Sequence, residues 1–360
     1  MPFSHHSHSG QFCAHAKDSL EECVLQAIAK NLRTFCLTEH MPRALARDLY
    51  PDELALNYTP QDLAARFAEY YKTAVEMRER YWTRITLLIG FEVDWIRPSM
   101  ADEVAGIRAT YDFDMFVGSV HHVDGVPIDF SKEMYQRAIE TVEANDRAAA
   151  AATGAGDANI NTDRFPEIEV TGSVGEERLF EAYFDTQYAM LKALKPPVVG
   201  HFDLIRLMSR DYRVDMTWLP KVHEKLLRNI KFIASYGGLV EVNSAAIRKG
   251  WEYPYPGPDV VKLMRREGVR FVLSDDSHGV AQVAYGYDQA LPYLVHHGVE
   301  EVCYYEWVET HRTPKDGFLM TMVDGQQLPK IGGASIEARK IRIEDLKGIL
   351  REFAYEVHAR

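Results

Sequence analysis

Short apolar runs rich in β-branched residues alternate along the chain with longer segments whose apolar residues recur every three or four positions. The short runs predict strands at 2–7, 34–38, 85–91, 115–120, 197–200, 239–242 and 269–274. Leu20, Val24, Ala27 and Ile28 form a helical stripe between the first two, with Asp18 placed to cap it. Further helices are expected at 62–80, 177–194, 219–236 and 259–266, and 302–305 reads as an eighth or an outer strand. Seven strand–helix units within about 280 residues fit one closed α/β barrel better than two domains.

Two segments read as additions to a barrel spanning 1–305. Residues 143–175 contain AAAAATGAGDANINTD, which is small, polar and poor in apolar surface. They leave the fourth strand on its carboxyl side and are read as decoration rather than as a working lid. Residues 306–360 form an extension whose amphipathic end, 343–357, is expected to pack on the barrel exterior. The sequence contains no internal repeat.

A hydrophobic content of 46% supplies a sizeable core, and the net charge of -12 argues against a nucleic-acid partner, because phosphate backbones select basic surfaces. A small phosphorylated substrate stays compatible with that charge, since a metal cluster supplies a local positive field. No stretch is apolar enough for a membrane span, and no basic segment followed by an apolar run opens the chain. Cys13, Cys23, Cys36 and Cys303 are scattered and read as free thiols. A cytoplasmic protein is expected. Oligomeric state is not assigned, because apolar barrel exteriors serve both packing and association.

The positions of the fourteen histidines matter more than their number. His6 and His8 end the first strand and His15 lies in the loop beyond it. His40 follows the second, Glu92 the third, His121 the fourth and His201 the fifth, while Asp276 and His278 follow the seventh. The carboxyl ends of parallel barrel strands converge on one mouth, so these nine residues are expected to share a pocket. Imidazole and carboxylate are ligand types for zinc, iron or manganese. Residues two apart on a strand face the same side, which lets His6 and His8 hold one ion. A carboxylate such as Glu92 is able to bridge two.

The segments HHSHSG, CLTEH, IGFEVDW, GSVHHVDGVPIDF, VGHFDLIR, LVEVNSAAIRK and VLSDDSHG resemble, in order, the motifs of histidinol-phosphate phosphatases of the polymerase-and-histidinol-phosphatase (PHP) family, the fungal versions most closely. The resemblance implies a distorted (β/α)7 TIM-like barrel with about three divalent ions, and hydrolysis of L-histidinol phosphate in histidine biosynthesis. One ion would take His6, His8, Glu92 and Asp276. A second would take Glu92, His121 and His201, and a third His15, His40 and His278. Glu92, Asp276 and His278 are accordingly expected to be catalytic, through a bridging water that attacks phosphorus. Arg206 and Arg248 match motif positions and are candidates for a phosphate clamp. Asp203 and His122 are candidates for protonating the leaving alcohol. The chain departs from the bacterial pattern in one extra residue between His8 and His15 and in Ala16, where glycine is common.

Plainer readings stand beside these. His121 and His122 compete for one ligand position, with His121 favoured, and His5 reads as a neighbour of the HxH pair. His223, His296, His297, His311 and His358 read as solvated or capping residues. Arg206 and Arg248 are alternatively salt-bridged rim residues, and YPYPG at 253–257 is a rigid turn or a pocket wall. Cys13 is not expected to be a ligand where imidazoles are available. Rival functions are a PHP phosphoesterase with another small phosphate or nucleotide substrate, an amidohydrolase-like enzyme, and a non-catalytic metal binder. The third-strand glutamate and terminal DxH oppose the second, and the complete ligand set opposes the third.

Overall fold

A computed structural model describes residues 2–152, 174–307, 320–321 and 336–346. Each of the seven expected runs contains a strand, shorter than the run in six cases, where the ends turn into loops, and one residue longer than the run at 239–242. The strands are β1 (Phe3–Ser4), β2 (Thr34–Leu37), β3 (Thr86–Ile89), β4 (Glu92–Asp94), β5 (Val117–Ser119), β6 (Val198–Val199), β7 (Leu239–Asn243) and β8 (Arg270–Ser274). Every ladder among them is parallel.

β3 and β4 act as two halves of one strand. β3 pairs with β2, and β4 pairs with β5, while an isolated bridge between His40 and Glu92 carries the β2 side past the break. Gly90 stands at the break, where a Cβ would lie 2.7 Å from the Met115 carbonyl oxygen, so the backbones approach more closely than another residue allows. The ring closes where the His5 amide donates to the Leu273 carbonyl at 3.2 Å and Ser7 bridges Ser277. Counting β3 and β4 together, this is the expected distorted (β/α)7 barrel. The run at 302–305 belongs to β9 (Glu301–Trp307), an outer strand that meets β8 at one register position and pairs antiparallel with β10 (Ile336–Arg342).

Helices occupy the expected places with better caps than the apolar pattern predicts. The first, Leu20–Ala29, is capped by Ser19 in a reciprocal box with Glu22. Asp18 is not the cap: it has φ 63° and accepts from the Val280 amide instead. Thr59 and Asp62 likewise start the Pro60–Tyr81 helix. Residues 143–152 of the expected insertion continue the Lys132–Ala152 helix, and the next helix starts at Val174. The rest of the low-complexity stretch lies outside the described residues, as does most of the amphipathic end after Leu346.

Strand alternation sorts the interior into levels. Cys36, Leu88, Val117, Val198, Leu239 and Val272 pack into an apolar floor of their own, joined by Tyr305 and Ile336 of the outer hairpin. Two residues further along the strands stand Thr38, Ser119, Gly200, Glu241 and Ser274, small or polar. Another step toward the carboxyl ends reaches His40, His121 and Asp276. The floor holds the fold together, and the polar levels above it set the site.

Candidate metal centre

Glu92 occupies the middle of the mouth. Its Oε2 lies 3.3 Å from His6 Nε2 and 3.4 Å from His8 Nε2, and those nitrogens are 3.0 Å apart. Asp276 Oδ1 completes this group at 3.8 and 3.6 Å from the same two nitrogens. The other carboxylate oxygen, Oε1, stands 3.1 Å from His121 Nε2 and 3.2 Å from His201 Nε2. Two donors held at about 2.1 Å from one ion stand roughly 3.0–3.5 Å apart, so both groups have the spacing of shared ligands. Glu92 offers one oxygen to each.

A third group comprises His8, Cys13, His40 and His278, whose ligand atoms lie within 4.8 Å of one another. His15 is beside it rather than within it. Its Nε2 is 3.3 Å from the Cys13 sulfur, its Nδ1 is 3.0 Å from Asp52, and its ring stacks on His278 at 5.0 Å. The loop bearing Cys13 and His15 is pinned at both ends. The Cys13 amide donates to Ser9, Gly10 pairs with Lys17, and the Lys17 amide donates to the His278 carbonyl. A Cβ at Gly10 would sit 2.8 Å from the Lys17 backbone, so only glycine permits that closure. Ala16 is accommodated within the turn, its amide donating to the Cys13 carbonyl.

Several outward nitrogens of the imidazoles face carboxylates, most of which the sequence pattern does not single out. His6 Nδ1 meets Glu241 at 2.9 Å, His121 Nδ1 meets Asp129 at 3.0 Å, and His8 Nδ1 faces Glu39 at 3.6 Å. His40 Nδ1 lies 2.9 Å from Glu92 and 3.1 Å from Asp94. Carboxylates that orient imidazoles in this way fix the tautomer that presents Nε2 to an ion. Within the expected ligand set, three buried ring nitrogens, His8 Nδ1, His40 Nε2 and His201 Nδ1, have no hydrogen-bond partner among the described residues. Replacing Asp129 by asparagine is expected to weaken metal retention about 10- to 100-fold with the fold intact, read by competition with a chelator. Unchanged retention would make Asp129 a spectator.

Electrostatics point the same way. Burial alone would lower the His6 pKa, but the carboxylates of Glu241, Glu92 and Asp276 outweigh it and raise it well above the ordinary value. His121, equally buried, is raised to about 10 by Asp129 and Glu92. Conversely, Glu92 resists the upward pull of burial and is held well below the carboxylate range by His6, His121 and His40. A buried set of ionised carboxylates thus demands positive charge, which divalent ions supply without protonating the imidazoles.

An open cleft lies over these donors, walled by Tyr50, Phe130, Arg248, Lys249 and Gln282. Arg248 is held there by Nη1 and Nη2 bonds to the carbonyls of Asp275 and Asp276, which leaves each nitrogen a second N–H. Arg206 corrects the sequence reading. It is fully buried, paired with both oxygens of Asp259, with Asp203, and with the carbonyls of Tyr212 and Val214, and it does not line the cleft. Its place in the short Leu204–Arg206 turn directs it under the rim.

Asp203 is committed to that ion pair and to the Gly257 amide. His122 is buried beside Tyr50, pushed down to about 4 by desolvation and the neighbouring His121, and it also does not line the cleft. His5 is a satisfied core residue, Nδ1 donating to the Leu273 carbonyl and Nε2 accepting from the Tyr305 amide. The YPYPG segment is a strap, with Tyr255 paired to Asn243 through both backbone bonds. His311 and His358 lie outside the described residues.

Comparison with known proteins gives this site a lineage. The sequence profile of the PHP domain matches residues 4–245, more than half of the chain. The chain belongs to the PHP family. It is 40% identical over 307 residues to a protein of Schizosaccharomyces pombe named probable histidinol-phosphatase, covering 85% of this chain and 90% of that one. It is 34% identical to the histidinol-phosphatase of Saccharomyces cerevisiae, with 84% and 91% covered. Among solved structures, the histidinol phosphate phosphatase of Lactococcus lactis, complexed with zinc, L-histidinol and phosphate, shares the PHP fold at a TM-score of 0.58 and 18% identity, covering 84% and 95% of the two chains. Among the described residues, no helix of this PHP protein is long and apolar enough to cross a membrane.

Proposed function

We propose that this PHP protein is a metal-dependent phosphomonoesterase that hydrolyses L-histidinol phosphate to L-histidinol and phosphate, a step of histidine biosynthesis. The reading is carried by one observation: a single carboxylate, Glu92, offers its two oxygens to two separate donor sets in the mouth of a barrel whose fungal relatives bear that activity in their names. We further propose about three ions, one with His6, His8, Asp276 and Glu92, one with Glu92, His121 and His201, and one with His40, His278 and the His15 loop.

Bound divalent ions supply Lewis-acid polarisation of the phosphoryl group and a nucleophile at neutral pH. The chain's own residues do the rest. Glu241 and Asp129 keep His6 and His121 oriented, so these donors need little rearrangement. Arg248, fixed by two carbonyls, presents its remaining N–H groups to a phosphate oxygen, with Lys249 beside it. Tyr50 and Phe130, with ring centroids 6.5 Å apart and nearly parallel, form an apolar wall that narrows access for bulk water.

Arg248→Ala is expected to lower kcat/KM about ten- to a hundredfold, the worth of a charge-assisted hydrogen bond of roughly 1.5–3 kcal/mol, while metal content is retained. Unchanged kinetics would return Arg248 to a rim role. Substrate choice is tested by phosphate release from a panel of small phosphate esters and nucleotides. L-Histidinol phosphate is expected to show the highest kcat/KM, and a clearly better substrate would replace this assignment with another PHP phosphoesterase activity.

A further inference from the structure

The geometry points to Cys13 as a thiolate ligand of the ion held by His40 and His278, giving the third position mixed sulfur and nitrogen donors and a preference for zinc. The inference rests on the metal-dependent reading above and deepens it.

Cys13 differs from the other three cysteines in its surroundings. Cys23, Cys36 and Cys303 pack within the apolar clusters of the barrel, whereas Cys13 belongs to neither cluster, although only 5% of it is exposed. Its sulfur falls instead within the donor group formed with His8, His40 and His278. A zinc ion bound at about 2.3 Å to sulfur and about 2.0 Å to nitrogen in a tetrahedron separates the two donors by roughly 3.5 Å. The sulfur stands 3.3 Å from His15 Nε2, close to that value, so the same ion would take His15 Nε2 as a further donor beside His40 and His278.

A second observation concerns the nitrogen opposite. His40 turns Nδ1 to Glu92 and Asp94, so that nitrogen is already engaged. Its Nε2 is buried with no hydrogen-bond partner among the described residues. An imidazole nitrogen that is buried and unpaired, within a group that also contains a free thiol and two further imidazoles, is what a ligand looks like before its ion is drawn in. The backbone holds the thiol in place, since the Cys13 amide and carbonyl are both bonded within the loop and Lys17 ties that loop to His278.

Coordination forms a metal–sulfur bond as the thiol gives its proton to solvent, and the thiolate charge offsets part of the charge of the ion. Soft sulfur selects zinc over manganese, whereas the oxygen-rich positions around Glu92 discriminate less. His15, 39% exposed in its side chain and bonded through Nδ1 to Asp52, presents Nε2 to the third position from its outer edge.

The test uses full-length protein stripped by chelator and reloaded with Co²⁺ alone. A near-ultraviolet thiolate-to-cobalt charge-transfer band is expected, lost in Cys13→Ser and kept in Cys23→Ser. Zinc competition should show one ion held at least about tenfold less tightly in Cys13→Ser. Wild-type protein that takes up its full complement of cobalt without the band overturns the assignment, as does a band that persists in Cys13→Ser. Protein that takes up no cobalt overturns the metal-dependent reading as well, so the two failures are distinguishable.

Discussion

Replacing Glu92 by alanine is expected to reduce turnover by at least about a thousandfold, the rate equivalent of roughly 4 kcal/mol, and to lower the metal content of the purified protein. The size of the effect follows from position. Glu92 is 1% exposed, and its two oxygens lie within 3.4 Å of five imidazole nitrogens, four of which belong to its two donor groups. Its loss removes a ligand from both groups at once and leaves His6, His8, His121 and His201 facing one another without the charge that organises them. Glu92→Gln separates charge from shape: one oxygen remains to coordinate, so it should retain more metal than Glu92→Ala while still losing most activity. Elemental analysis beside phosphate release reads both quantities. A Glu92→Ala protein with wild-type turnover would show that the carboxylate does not bridge.

The largest expected effect on stability lies outside the cleft. Arg206→Ala should cost roughly 3–5 kcal/mol of folding free energy, because it strands the fully buried Asp203 and the nearly buried Asp259 without their counter-charge. Asp259 also accepts from the Met216 amide, so the turn before the Pro220–Tyr236 helix would loosen with it. Arg206→Lys keeps a charge but not the fork that meets both Asp259 oxygens, and an intermediate loss is expected. Denaturant midpoints measure the stability change. The protein that remains folded should keep KM for its substrate, whereas a large rise in KM with unchanged stability would restore Arg206 to phosphate binding.

The contrast between these residues shows what the sequence discloses. Strand ends were legible because apolar runs of four to seven residues stand out, and because parallel barrels bring every carboxyl end to one mouth. His6, His8, His40, Glu92, His121, His201, Asp276 and His278 are brought together on that geometry alone. Arg206 is different: five residues from His201 along the chain, it is turned beneath the rim by a short helical turn that no periodicity signals. Glu241 and Asp94 went unremarked because a polar residue inside an apolar strand reads as a break in the pattern rather than as a partner for an imidazole. Asp129 lay inside the quoted GSVHHVDGVPIDF segment, and the hairpin at His122–Val123 and Val126–Pro127 folds it back on His121, a non-local return. Ser19 displaced Asp18 as a cap because Glu22, three residues on, completes the reciprocal box. Cys13 was set aside on ligand preference, which says nothing about where a pinned loop places a sulfur.

Bound divalent ions in this barrel mouth are expected to carry phosphate-ester hydrolysis. The most direct measurement strips the full-length protein with chelator, assays phosphate release from L-histidinol phosphate, and repeats the assay during titration with a divalent ion while bound metal is counted. The stripped protein is expected to show no turnover, and recovery should reach its plateau at about three ions per chain, since nine ligands with one bridge furnish three incomplete shells. Full turnover in metal-free protein, or full recovery at one ion per chain, would contradict it.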